Sequence, residues 1–212
     1  MAQYAEKLEE KYISHRANPK DRLNYQWHFP AIVETFLSPE QKRKVLVVRF
    51  IDSNASQMVS IAKMVRKDNL RVDIKTSVWI LGKLLKALLF FHDQRISVGE
   101  VSIGKILIDP EQHFVNFFDL SLATFSQEPL DEETCRAGIV QATQVVMEVL
   151  GVDLDSGEYP YPADEEEVRY LEHLRLMEEG IFGDVQLAHQ RFYELVESLW
   201  GRKFHEFTTL TR

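Results

Sequence analysis

Apolar residues recur at helical spacing between positions 77 and 92, and this run carries the strongest pattern in the chain. Two lysines, Lys83 and Lys86, fall on the opposite side of the same helix. Asp73 or Thr76 supplies a side chain suited to capping its first turn. The pattern predicts an amphipathic helix whose buried face carries Ile80, Leu81, Leu84, Leu85, Leu88 and Phe91.

Two short apolar runs follow this helix after a polar loop. The first run is Ile106–Asp109 and the second covers residues 113–118, with a polar turn at residues 110–112 between them. Runs of this length on either side of a turn predict a β-hairpin. Asp119 comes directly after the second predicted strand.

The remaining patterns predict a second hairpin and several more helices. An apolar run at residues 31–37 and a β-branched run at residues 44–51 predict the hairpin. Helical spacing predicts helices over residues 53–67, 134–150, 164–177 and 184–200. The side chains predicted to face inward in the third of these are Val168, Leu171, Leu174 and Leu176. We therefore predict an α+β fold that is mainly helical, with a small β-hairpin towards the N-terminus.

The first 15 residues have an apolar stripe of their own. Tyr4, Leu8 and Tyr12 recur every four residues in a segment rich in Glu and Lys, which predicts a helix over residues 2–15. Because the stripe is narrow, we predict that it is an interaction face, either for the body of the protein or for a partner. The acidic stretch at residues 164–167 is a second candidate for a partner surface.

Composition and charge narrow the functional classes. The chain has 212 residues, of which 45% are hydrophobic and 27% charged, as in a globular protein. Its net charge of −8 argues against nucleic-acid binding, because an acidic protein and a phosphate backbone repel each other. No run is long and apolar enough for a membrane span, and the N-terminus lacks a signal-peptide pattern. We expect a soluble, cytoplasmic protein that binds neither nucleic acid nor a membrane.

Residues with reactive or metal-binding side chains form no recognised motif. Cys135 is the only cysteine, so the sequence predicts no internal disulfide, and no nucleophile signature surrounds it. The seven histidines form no metal-spaced pair with Cys or Asp. We therefore predict neither a metal site nor a cofactor.

The order of helix, loop, hairpin and aspartate resembles the catalytic centre of the protein kinase family. Residues 98–100 (Val-Gly-Glu) fall on His-Arg-Asp, Lys105 falls on the family's Asn, and residues 119–121 (Asp-Leu-Ser) fall on Asp-Phe-Gly. Glu100 and Asp119 are 19 positions apart, a spacing that suits the family. Among these aligned positions, only Asp119 has the same residue type as the catalytic motif of the family.

The resemblance implies two lobes of very unequal size. Residues 1–52 correspond to a remnant of the small lobe, with the predicted hairpin in it, and residues 53–212 correspond to the helical large lobe. The segment 1–43 contains no glycine, so the family's glycine-rich phosphate loop is missing. Arg49 lies too close to Glu100 to occupy the position of the family's phosphate-binding lysine.

The resemblance also implies a degenerate centre, as in a pseudokinase. In the family the loop Asn and the hairpin Asp hold magnesium, but a lysine at position 105 would repel the metal. We predict instead that Lys105 and Asp119 form an ion pair there, with no catalytic residue, nucleotide or metal. The chain would then be a regulatory module that binds another protein of unknown identity, and self-association stays open.

Two alternatives remain at this point. The first is a residual ATP-dependent phosphotransferase or nucleotide binder that uses Glu100 and Asp119. The second is an unrelated helical adaptor whose resemblance to kinases is accidental.

Overall fold

The structure is a computed structural model, and it describes residues 28–40, 42–50, 57–201, 203 and 205–211. The predicted first helix and its Tyr4, Leu8 and Tyr12 stripe lie outside the described residues, so that interaction face stays a prediction. The division into residues 1–52 and 53–212 also stays a prediction, because its boundary falls outside the described residues.

The described part of the chain contains four α-helices, and each one begins after an aspartate. The carboxylate of Asp73 accepts a hydrogen bond from the Thr76 N–H at 2.7 Å, and the other three caps repeat this geometry. Such caps satisfy backbone N–H groups that have no partner inside the helix. The helices are α1 (Ile74–Asp93), α2 (Glu132–Leu150), α3 (Glu165–Glu178) and α4 (Val185–Trp200).

Helix α1 lies at the centre of the hydrophobic core and packs against α2 and α4. All six side chains of its predicted apolar face are buried, which confirms the prediction from periodicity. At its C-terminal end the ring of Phe90 stacks on that of Phe29 with centroids 5.7 Å apart. Phe29 therefore joins the core of the helical part although it precedes the first strand.

Nine strands, all short, form four small antiparallel sheets within the described residues. The strands are β1 (Ala31–Leu37), β2 (Lys44–Arg49), β3 (Val59–Ser60), β4 (Leu70–Val72), β5 (Ile96–Ser97), β6 (Ile106–Asp109), β7 (Phe114–Phe117), β8 (Thr124–Phe125) and β9 (Thr209–Thr211). Both predicted hairpins are confirmed as the pairs β1–β2 and β6–β7. Asp109 fixes the turn of the second hairpin by accepting the N–H groups of Glu111 and Gln112.

The helix predicted over residues 53–67 is wrong over residues 57–60, and residues 53–56 lie outside the described residues. Residues 59 and 60 form β3 and pair with Leu107 and Ile108 of β6. Helical structure begins at Ile61 and includes a short π-helical turn over Lys63–Lys67. The pairing of β3 is non-local, and helical spacing alone could not distinguish Val59–Ser60 from a helical turn.

His28 anchors the segment before β1 to the helical part. Its imidazole Nδ1 donates to the Val115 carbonyl at 2.8 Å, and its own carbonyl accepts the Phe117 N–H at 2.7 Å. The side chain is almost completely buried. Burial, together with the positive charge of Lys83, lowers the pKa of His28 to about 4, so the ring is neutral at physiological pH.

This burial predicts that acid destabilises the protein. In the unfolded chain His28 binds a proton below its ordinary pKa of 6.5, whereas the folded chain does so only near pH 4. The contribution of His28 to the free energy of unfolding is therefore fully present above pH 6.5 and is lost as the pH drops towards 4. The loss from this group is roughly 3 kcal/mol. Chemical denaturation at several pH values measures the decline. A His28→Gln variant should lose that part of it, and an unchanged decline would contradict the assignment.

Candidate functional site

The loop aligned with the kinase catalytic loop, residues 98–105, lies against the chain that leaves the β6–β7 hairpin. At Gly99 the backbone has φ = +80°, a conformation that residues other than glycine rarely adopt. A Cβ at this position would lie 2.5 Å from the Leu122 carbonyl oxygen and 2.7 Å from the Leu122 Cβ. Because Gly99 has no side chain, the backbone of the 98–105 loop can pack directly against the backbone of Leu122, in the segment after Asp119.

Helix α2 holds the same loop from the other side. The Val101 N–H donates to Oε1 of Gln141 at 2.7 Å, across 40 positions of sequence. One turn earlier on α2, Gly138 lies against the ring of His92, where a Cβ would be 3.6 Å from Nε2. Sequence reasoning did not single out Gln141, because a glutamine on a helix carries no signal until its backbone partner is known.

Lys105 forms an ion pair within the loop itself. Its Nζ lies 2.9 Å from Oε2 of Glu100, and the lysine side chain is only 14% exposed, against 47% for the glutamate. The hydrogen bonds from Lys105 and Ser102, together with the positive charge of Lys105, lower the pKa of the Glu100 carboxyl. Glu100 is therefore ionised and already has a cationic partner.

The predicted ion pair between Lys105 and Asp119 is wrong in its partner, because the lysine turns to Glu100. One oxygen of Asp119 instead accepts the Ser121 N–H at 3.0 Å, which closes a tight turn directly after β7. Partial burial acts to raise the pKa of Asp119, but the hydrogen bonds from Ser121 and the charge of Lys105 outweigh it and lower the pKa. Lys105 therefore influences Asp119 through its electric field rather than by direct contact.

These residues do not fit the magnesium that the kinase fold implies. Magnesium requires several oxygen ligands in a nearly ideal octahedron. At the aligned positions one carboxylate is neutralised by Lys105, the other is partly engaged by Ser121, and the neutral amide ligand is replaced by an ammonium. Across the ranges that the structure describes, no three His, Cys, Asp or Glu side chains converge on a common point.

A cavity of about 320 Å³ lies beside the loop, between its first residues and the start of α2. His92 lines it, at the end of α1 as predicted, and burial lowers the pKa of this ring to about 4. The acidic residues on its wall, Asp131 and Glu133, belong to the N-terminal cap and first turn of α2. The cavity is thus negatively charged and has no cationic wall residue at neutral pH.

Comparison with known proteins identifies the fold but not a family. No protein-family model matches the chain, and no curated protein matches it. Among solved structures, that of vaccinia related kinase 3 aligns over 90% of this chain and 73% of its own, with a TM-score of 0.57 and 13% sequence identity.

The likeness and the order of helix, loop, hairpin and aspartate together define a kinase-like fold of the α+β class. At 13% identity the structural match shows the fold alone. Within the described ranges, no helix has the length and apolar composition that a membrane crossing requires.

Proposed function

We propose that the chain is a non-catalytic, kinase-like module, a pseudokinase, that acts by binding and regulating another protein. The observation that carries this proposal is the ion pair between Lys105 and Glu100, at 2.9 Å in the middle of the site. It joins two aligned positions that an active kinase keeps free for substrate and metal.

The ion pair affects two requirements of phosphoryl transfer, orientation of the acceptor hydroxyl and binding of a divalent cation. Phosphoryl transfer needs a carboxylate that orients the acceptor hydroxyl, and Glu100, at that position, is engaged by an ammonium. The transfer also needs ligands that hold a divalent cation against the phosphates, and a fixed positive charge at position 105 opposes that cation. One substitution in the family pattern thus weakens two separate requirements.

The surrounding contacts favour a fixed arrangement. Gly99 lies against the Leu122 backbone, Gln141 holds the Val101 N–H, and Ser121 fixes Asp119. Ser121 also replaces the glycine that gives this segment its freedom in active kinases. A site whose polar groups bond to one another suits a stable binding platform better than a catalytic cleft.

Replacing Lys105 should restore affinity for a divalent cation. We expect Lys105→Asn to bind manganese or magnesium at least about tenfold more tightly than the natural chain, because it frees Glu100 and adds an amide oxygen. Lys105→Met is the matched control, since it removes the charge without adding a ligand and should show a smaller gain. Isothermal titration calorimetry measures both affinities. Equal affinities in all three proteins would show that the lysine does not govern the site.

Transfer of labelled phosphate from ATP tests the proposal itself. We expect no transfer to the chain or to a generic acceptor protein, with either magnesium or manganese present. Transfer that disappears in an Asp119→Asn variant would contradict the proposal and would establish the alternative, a residual phosphotransferase that uses Glu100 and Asp119.

A further inference from the structure

The β1–β2 hairpin carries more exposed large apolar side chains than any other strand pair in the described residues. Val33 is 60% exposed, Phe36 45% and Leu37 68% on β1, and Val47 and Val48 on β2 are 39% and 38% exposed. The strand register places Phe36 and Val47 on one face of the hairpin and Leu37 and Val48 on the other. Since soluble domains rarely leave many such residues in solvent, apolar exposure on both faces indicates an interaction surface.

Among the described residues, the sheet that carries these side chains consists of β1 and β2 only, paired antiparallel from Ala31 with Arg49 to Leu37 with Lys44. A two-stranded hairpin is marginally stable by itself, and a third strand would extend its hydrogen-bonded ladder. No described strand pairs with the outer edge of β2, so its alternate N–H and C=O groups can accept one.

The charges along β2 define the partner that this edge fits. The apolar run at residues 45–48 lies between Lys42 and Arg43 at one end and Arg49 at the other. All three basic side chains are exposed, and none of them forms an ion pair with a described acidic residue. A complementary strand would have an apolar centre and carboxylates at both ends.

From these features we infer that the outer edge of β2 binds an extended segment of a partner protein, apolar in its centre and acidic at its ends, as a third strand. Main-chain hydrogen bonds to the edge supply affinity, and the terminal carboxylates select the segment through Lys42, Arg43 and Arg49. A second copy of this chain fits less well, because two β2 edges side by side would bring basic ends together. This inference rests on the proposed binding function and names its surface.

Synthetic peptides test the inference directly on the full-length chain. The probe is a nine-residue peptide of alternating Val and Thr with two glutamates at each end, and its control has lysines in place of the glutamates. Fluorescence anisotropy should show the acidic peptide binding at least about tenfold more tightly than the basic one. A Lys42→Glu/Arg43→Glu double variant should reverse this preference, and the acidic peptide with N-methylated backbone amides should not bind.

Control variants separate the surface from the fold. Lys67→Glu changes an exposed lysine away from the hairpin and should leave the preference unchanged. Circular dichroism should show the same thermal midpoint for the double variant, because Lys42 and Arg43 are solvent-exposed. Absence of binding by the acidic peptide, or binding that ignores the charge reversal, would overturn the inference.

Two further measurements make the result specific. Sedimentation velocity of the natural chain should show a monomer. A dimer that dissociates in the double variant would show that a second copy occupies the edge, which overturns the inference. If the acidic peptide binds and the chain also transfers phosphate, the proposed non-catalytic function is refuted, whereas the inference about the β2 edge is retained. If the chain neither binds the peptide nor transfers phosphate, only the inference about the β2 edge is refuted.

Discussion

Leu85→Ala is expected to lower the free energy of unfolding by about 2–5 kcal/mol, the range for a large aliphatic side chain removed from a core. Leu85 is completely buried on α1, the helix that packs against both α2 and α4. The shortened side chain leaves a cavity that three helices cannot close without disturbing their other contacts. Urea denaturation followed by circular dichroism measures the change.

Lys75→Ala provides the control for this experiment, because Lys75 is exposed in the first turn of the same helix. Its effect should stay within about 0.5 kcal/mol, as for most surface substitutions. A loss of less than about 1 kcal/mol for Leu85→Ala would mean that the face of α1 is wrongly assigned.

Gly99→Ala should cost about 2–4 kcal/mol and should also loosen the 98–105 loop. The alanine is strained at φ = +80°, and its Cβ would meet the Leu122 carbonyl oxygen at 2.5 Å. Backbone strain and overpacking each cost roughly 1–3 kcal/mol, and the obstructing atom belongs to the backbone, which cannot turn aside. Hydrogen exchange should increase at Val101, whose N–H bonds to Gln141.

Gly104→Ala is the matched control, five positions along the same loop. Its Cβ would meet only the Ser102 Oγ at 3.8 Å, an ordinary contact distance, and its backbone lies outside the left-handed region. We expect a change of less than about 1 kcal/mol. Equal costs for the two substitutions would show that the approach of Gly99 to Leu122 does not hold the loop.

Much of the fold follows from local sequence. The aspartates that begin the four helices have the residue type that N-caps require, and Asp73 is one of the two cap candidates that the sequence offers for α1. Helix α2 begins at Glu132, two residues before the predicted start, and Asp131 caps it. Both hairpins were predicted because their strands pair with neighbours across short turns.

The errors arise where distant parts of the chain decide the outcome. Strands β4 and β9 pair across more than 130 positions, which no local pattern reveals. On α3 the predicted inward residues Val168 and Leu176 are exposed, whereas Tyr170 and Met177 are buried. The buried Tyr170 hydroxyl bonds to Ser77 of α1 at 2.9 Å, so its polar end is satisfied by a helix that the local sequence of α3 cannot specify.

In the candidate site, the sequence does not specify which carboxylate pairs with Lys105. Alignment to the family placed Glu100, Lys105 and Asp119 near one another, and the pKa values of Glu100 and Asp119 each respond to Lys105. Alignment could not choose between two carboxylates for the lysine. The structure pairs Lys105 with Glu100, whereas Asp119 accepts the Ser121 N–H.

Thermal unfolding of the natural chain with ATP and manganese tests the central claim most directly. A ligand that binds only the folded state raises the unfolding temperature, and at 100 times its Kd it stabilises the fold by about 2.7 kcal/mol. We predict no change in the unfolding temperature with millimolar ATP, whether manganese, magnesium or neither is present. A rise that depends on the metal, and that Asp119→Asn abolishes, would contradict the account and identify the site as a working nucleotide centre.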